Sequence, residues 1–252
     1  MTRRSVFAFV AAFSLLLAPV AAQQAQAPAL RGPDVIFVPT PQEVVDAMLK
    51  LANVTSKDVV YDLGSGDGRI PITAATFYGA RAFGIDIDPP RIREANDNLG
   101  AMKTVIARLD AVIAFIETTK KATAGSPEKY QTEARAGLMK QFGLTDTQAL
   151  RVFEMQLDRL TTAQRQSLKG MAIADMVRFL NQDLFTTDIS QATVVTLYLL
   201  PSLNLKLKDT LNKQLKPGTR IVSHAFDMGD SKPLETLNVN GRTVYYWTIP
   251  IK

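Results

Sequence analysis

The chain has 252 residues, 46% of them hydrophobic and 21% charged, which is the balance of a folded globular protein and not of a disordered one. The absence of cysteine excludes disulfides, thiolate zinc sites and cysteine nucleophiles; a single histidine, His224, excludes a multi-histidine metal cage and leaves only carboxylate-bound metals open. The formal charge of +5 falls to +3 (27 cationic against 24 acidic side chains) once Arg3 and Arg4 are set aside with the leader they belong to, too mild a surplus to argue for nucleic acid as a partner.

Residues 1–22 read as an export signal. Arg3 and Arg4 form the basic start, residues 6–20 (VFAFVAAFSLLLAPV) the apolar stretch, and Val20-Ala21-Ala22 the small residues before a cleavage site. The apolar run of 15 residues is short of the roughly 20 that a bilayer span wants. The expectation is export to a bacterial periplasm, with a membrane anchor only if the segment stays uncleaved. Residues 23–33, poor in bulky side chains, form a linker, and folded structure is expected from Asp34.

From there the hydrophobic period changes repeatedly. Gln42–Leu51 sets Val44, Val45, Met48 and Leu49 on one helical stripe. Residues 58–63 (DVVYDL) form a short β-branched run that stops at a glycine cluster, as a buried parallel strand does. Helical character returns over residues 70–78, a second strand follows over 81–87, and a second helix over 89–99. Strand, helix, strand, helix predicts a right-handed, parallel α/β sheet.

Residues 105–176 hold no strand pattern but several helix starts, so they read as an all-helical insertion between a first core segment (34–104) and a second (177–252). Ser126-Pro127-Glu128 opens one helix, and Gly143 is placed to end it. Two copies of LTxxQ follow, with Thr145 and Thr161 as caps and Gln148 and Gln164 completing capping boxes. The motif also resembles one found in periplasmic helical stress chaperones. The α/β rhythm then resumes with strands over 176–180, 192–200 and 219–226, a helix over 203–215, and an aromatic strand over 241–250 expected as an antiparallel partner at the sheet edge.

The chemistry begins in the turn after the first strand, at Asp62, Gly64, Ser65, Gly66, Asp67 and Gly68. Glycines there let the backbone approach a ligand and open the positive end of the following helix toward it. The spacing G-x-G-x-G departs from the dinucleotide fingerprint, which needs a small residue where this chain has Arg69. At the end of the second strand stand Asp86, Ile87 and Asp88. A carboxylate in that place accepts both hydroxyls of a ribose. Asp86 takes that role, Asp88 caps the next helix, and Ile87 between them lies against a base. An aspartate after a strand ordinarily caps the turn that follows, but Asp183 ends the third parallel strand beside the switch-point crevice, and that position assigns its carboxylate to the ligand.

DLGSGDGR followed by GIDIDP resembles the class I S-adenosylmethionine-dependent methyltransferases. FVPTPQEVVDAML, FLNQDLFTTDISQATVVTLYLLP and PGTRIVSHAF are similar to the small archaeal and mitochondrial protein-lysine methyltransferases within that group. The resemblance implies a doubly wound, mostly parallel, seven-stranded Rossmann-like sheet with S-adenosyl-L-methionine as cofactor. It implies that Asp62 and the loop from Gly64 to Gly68 hold the methionine end, Asp86 the ribose, and Asp183 with Leu184 the adenine edge. The implied partner is a protein with an accessible lysine.

Tyr198 closes the fourth strand and is expected to face the transferred methyl as the catalytic candidate. Methyl transfer from a sulfonium asks the protein for alignment, a dry site and an acceptor with a free lone pair. Tyr198 and Phe226, with Tyr245, Tyr246 or Trp247, would favour a neutral amine by desolvation, although aromatics in strands more often pack in a core. His224 is a general base or a satisfied structural histidine. A small-molecule methyltransferase, and a non-catalytic exported scaffold built on the same core, are the competing functions.

Overall fold

The computed structural model describes residues 30–252. The export signal and most of the linker read from the sequence lie outside the described residues. Seven strands form a single sheet: β1 (Val59–Leu63), β2 (Arg81–Asp86), β3 (Val177–Asn181), β4 (Val194–Leu197), β5 (Arg220–His224), β6 (Glu235–Val239) and β7 (Arg242–Thr248). Their spatial order is β3-β2-β1-β4-β5-β7-β6, with β1 to β5 parallel and β7 antiparallel to both of its neighbours. Every residue of β1 and of β4 is buried, which is why these strands read as largely apolar runs without alternation, broken only by Asp62 and Thr196.

Helices cover both faces. One layer of core gathers α1 (Gln42–Leu51), α2 (Arg69–Tyr78) and α3 (Pro89–Ala107); on the other face α9 (Pro201–Gln214) packs Leu207 and Leu211 against Val195, Leu197 and Ile221. Between α3 and β3 stand α4 (Leu109–Ala122), α5 (Pro127–Phe142), α6 (Asp146–Glu154), α7 (Thr162–Lys169) and the single-turn α8 (Ile173–Met176). These helices have no core of their own. Val112, Ile116, Leu138 and Val152 belong to the same buried cluster as Met48, Val60 and Leu99. Both LTxxQ motifs form complete capping boxes, with the threonine hydroxyl and glutamine side chain bonded reciprocally to backbone N–H groups.

Three boundaries differ from the sequence expectation. The helix predicted to stop near Leu99 runs on to Ala107, because Met102, Val105 and Ile106 continue the buried stripe begun by Ala95 and Leu99. Gly100 therefore lies in a helix interior, with open space where a Cβ would be. Gly100→Ala is expected to raise stability by about 0.5–1 kcal/mol, since glycine costs that much in a helix interior; a thermal midpoint at or below the wild-type value would contradict it. The aromatic strand β7 is not the sheet edge. The edge is β6, an almost wholly exposed strand that sequence patterning misses. Its signal was the turn: Asn240 and Gly241 both have positive φ (52° and 82°), as a tight two-residue hairpin requires. Finally, β4 ends at Leu197, so Tyr198 to Leu200 lead out of the sheet toward α9.

Candidate active site

The sheet reverses its winding between β1 and β4, and the crevice at their carboxyl ends is where such sheets hold ligands. A cleft of about 230 Å³ opens there, lined by Asp62, Gly64, Ser65, Asp67, Asp86, Ile87, Leu184 and Tyr198 among others. Its floor is the loop after β1. Gly64 and Ser65 both donate backbone N–H bonds to the Ile85 carbonyl at 2.8 and 3.0 Å, which anchors the loop to β2. Gly66 (φ 51°) and Gly68 (φ 79°) are left-handed, and a Cβ at Gly68 would lie 2.4 Å from the Phe179 ring. Gly66 is crowded from above instead: a Cβ there would fall within the Phe37 ring contact. Side chains are excluded at both positions by conformation and by space.

Asp86 ties the floor to the wall. One carboxylate oxygen accepts the Gly66 N–H (2.8 Å) and the other the Asp88 N–H (2.9 Å). Burial pushes its carboxyl above the ordinary range, and the two N–H donors pull it back. Asp88 occupies the position before α3, but its side chain makes no capping bond and instead lies 3.8 Å from Arg91. The expected cap is thus replaced by a surface ion pair.

Asp62 is more deeply placed. It is 3% exposed and accepts a hydrogen bond from Thr196 Oγ1 at 2.7 Å. Burial pushes its carboxyl up to about 7, with the charges of Asp86 and Asp67 adding to the rise and Thr196 opposing it. No Lys or Arg of the described residues pairs with it. The Ser65 hydroxyl, three residues further along the loop, is buried without a partner. A buried carboxylate lacking a cation and an unsatisfied hydroxyl, both lining the same cleft over a glycine cradle, fit a ligand that brings an ammonium and further polar groups to this end of the cleft.

Residues 141–235 match the family described as the ANTKMT methyltransferase domain. A protein-lysine N-methyltransferase of Saccharolobus islandicus is 33% identical over 222 residues, which cover 86% of this chain and 95% of that protein. Among solved structures, an RNA methyltransferase from Salinibacter ruber in complex with S-adenosyl-L-homocysteine shares 40% identity over 85% of this chain and 95% of its own, with a TM-score of 0.55. The rRNA methyltransferase aviRa from Streptomyces viridochromogenes, 16% identical with a TM-score of 0.51, shares the fold over 89% of this chain and 90% of its own. The chain belongs to the class I S-adenosylmethionine-dependent methyltransferases.

Two of the methyltransferase's sequence-predicted site residues are engaged elsewhere. Both carboxylate oxygens of Asp67 face guanidinium groups: Arg69 donates to Oδ1 at 3.1 Å and to Oδ2 at 2.8 Å, and Arg151 of α6 donates to the same Oδ2. Asp183 accepts from Arg31 Nε at 2.7 Å, and its other oxygen accepts the Phe185 N–H at 3.0 Å. The arginine holds the Asp183 carboxyl below its ordinary range. Asp183, expected to face ligand, thus makes a turn-capping bond and does not line the cleft; its neighbour Leu184 does, with Ile87 and Asp86.

The far end of the methyltransferase's cleft is apolar and aromatic. Tyr198 and Phe226 line it with ring planes 18° apart and centroids 6.1 Å apart, next to Leu199, Leu200 and Leu203. The Tyr198 hydroxyl takes no hydrogen bond from the described residues. His224 does not line the cleft. It is 2% exposed, its Nδ1 lies 3.2 Å from Thr40 Oγ1, and burial, with Arg242 adding, pushes it down to about 4. A neutral imidazole of that basicity is a structural histidine; its ring supports Tyr198 at a 4.0 Å centroid distance. Tyr245, Tyr246 and Trp247 do not reach the cleft. Trp247 is in the core on the α9 face and donates to the Ser231 carbonyl at 3.0 Å, while Tyr246 packs toward the opposite core, so these three are packing residues and not part of an acceptor channel.

Sequence reading assigned no role to the strap that precedes α1. Asp34, Val35, Ile36, Phe37, Val38 and Thr40 form one wall of the cleft, with the Arg91 guanidinium 5.1 Å over the Phe37 ring. The clue lay in VIFVPTP, an apolar run with no helical or strand partner of its own.

Proposed function

We propose that the methyl acceptor is the ε-amine of a protein lysine. Bound S-adenosylmethionine supplies an electrophilic methyl on a sulfonium; the new N–C bond forms as the S–C bond breaks, so the amine must already have released its proton to solvent. The observation that carries the reading is the distribution of charge along the cleft. Five acids line it against Arg69 and Arg91: Asp34, Asp67 and Asp88 are paired with Arg31, with Arg69 and Arg151, and with Arg91, while Asp62 and Asp86 have no cationic partner among the described residues, so the cleft carries uncompensated acid and no free base. Such a mouth attracts a lysine ammonium and repels a phosphate backbone. The rim adds apolar surface, with Ile36 89% and Val38 56% exposed, where a nucleic-acid groove would carry cations. The Tyr198 and Phe226 end then disfavours the charged amine by desolvation and leaves the lone pair free. The likeness to the archaeal protein-lysine enzyme supports the same acceptor. The likeness to the Salinibacter ruber RNA methyltransferase favours RNA as the second reading.

Incubation of the protein and labelled S-adenosylmethionine with a mixed protein extract and, separately, with total RNA distinguishes the two. Methyl-lysine identified by mass spectrometry is the expected product; label confined to RNA, or to small molecules, would replace this reading. Tyr198→Ala, which removes the aromatic wall that aligns and desolvates the amine, is expected to lower kcat by roughly a hundredfold, the scale on which ångström misplacement of a reacting group acts, with S-adenosylhomocysteine affinity unchanged. Equal kcat in wild type and variant would remove Tyr198 from the reaction. The leader read over residues 1–22 supports action in the periplasm, and a mature chain beginning at Gln23 in a periplasmic fraction is the corresponding expectation.

A further inference from the structure

We infer that Arg151 is a positioning residue for the cofactor loop, through which the helical insertion sets affinity for S-adenosylmethionine. Arg151 lies in α6, 84 residues from Asp67, yet its guanidinium donates to the Asp67 carboxylate at the centre of the glycine loop. Asp67 is 1% exposed and sits between two left-handed glycines, so its side chain is a fixed point in the middle of the turn. Its oxygens are filled from two directions. Arg69, from α2, donates through Nε and a terminal nitrogen, while Arg151 approaches from the insertion. The backbone carbonyl of Asp67 is held separately by Asn98 of α3 at 2.9 Å.

The insertion aims this arginine by local means. Thr145 and Gln148 close the capping box that starts α6, and the same Gln148 side chain also reaches the Asp97 carbonyl of α3 at 3.4 Å. Arg151 follows one turn later, on the same face as Gln148. The contact is a direct hydrogen bond, and the void of about 20 Å³ beside it, lined by Asp67, Asn98 and Arg151 among others, is too small to hold a ligand of cofactor size. The Arg151 Nε is buried with no partner, a cost that the fold tolerates at this point. Glu154 is the acidic neighbour on α6 itself, 3.9 Å from the other terminal nitrogen.

A loop held by a guanidinium from a separate element has its order coupled to that element, and the coupling is reciprocal. Arg151→Met is expected to weaken S-adenosylhomocysteine binding, measured by calorimetry on the full chain, by about 10-fold, within the range of ordinary intersite couplings. Arg151→Lys should recover most of the loss, because a single terminal nitrogen makes the bond. Arg135→Met, which removes an exposed ion pair to Asp146 at the start of α6 without touching the loop, should bind like wild type. In wild type, saturation with S-adenosylhomocysteine should slow amide exchange in α6. Equal affinity in Arg151→Met and wild type overturns the inference, as does an equal loss in Arg135→Met, which would mean general loosening. Should Arg151→Met not fold, exchange in the wild-type chain decides alone: α6 amides indifferent to ligand overturn it. No arm of this test depends on the identity of the methyl acceptor.

Discussion

Asp86→Ala is expected to weaken S-adenosylhomocysteine binding by about 100-fold or more, because a hydrogen bond to an ionised acceptor is worth about 1.5–3 kcal/mol and this carboxylate serves several at once. Two are visible within the protein, to the N–H groups of Gly66 and Asp88. Alanine leaves both donors facing an apolar methyl and removes the Gly66 tie, so that the loop is held to β2 only by the Gly64 and Ser65 N–H bonds to Ile85. The remaining lone pairs face the cleft, where the resemblance to methyltransferases places the ribose hydroxyls. Asp86→Asn keeps one carbonyl acceptor but turns an amide NH₂ toward a backbone donor, so it should fall between alanine and wild type. Calorimetry gives the affinities, and far-ultraviolet circular dichroism checks that the sheet persists. Alanine binding within threefold of wild type, in a folded protein, would show that the floor of the cleft is not organised around this acid.

The second large effect is a pH dependence centred on Asp62. Its carboxyl is raised to about 7 in the ligand-free protein, chiefly by burial. An acid whose folded-state value lies above its unfolded one contributes stability that is full below the unfolded value, near 4, and is lost as pH rises through about 7. The ligand-free protein should therefore weaken across that window, by on the order of 4 kcal/mol for a shift of this size at about 1.4 kcal/mol per unit. Cofactor binding should run the opposite way. The ammonium of the methionine moiety favours ionised Asp62, so affinity should rise up to about tenfold per unit below pH 7 and level above it. Calorimetry near pH 6 in two buffers of different ionisation enthalpy should register proton release on binding. Asp62→Asn should flatten the profile and raise the thermal midpoint at pH 8. Affinity that stays constant from pH 5 to 8 in the wild-type chain would refute the pairing.

These two acids were legible before any coordinates, for local reasons. Asp62 and Asp86 end short apolar runs, and the ends of consecutive parallel strands must face the same crevice. The glycine loop stood out because three closely spaced glycines exceed what a turn from strand to helix requires. Other features were illegible because their signal is weak or distant. β6 carries no buried face, so no alternation marks it; only Asn240-Gly241 betrayed the hairpin. The continuation of α3 through Gly100 was hidden by a residue that ordinarily ends helices, and tertiary burial of Met102 and Ile106 overrode the propensity. Tyr198 and Trp247 are both aromatics at strand ends, yet one lines the cleft and the other is sealed in the core.

What the sequence determined by itself were the elements and their chemistry: which stretches bury one face, where the backbone needs glycine, and which carboxylates stand at strand ends. Those are properties of windows a few residues long, written in period and turn chemistry. What the tertiary structure decided was which windows meet. Phe37 over Gly66, Arg31 against Asp183 and Arg151 against Asp67 join residues 29, 152 and 84 positions apart. Nothing in either partner's own neighbourhood encodes such a meeting, because it follows from the order in which strands take their places in the sheet and from the faces that helices bury against it.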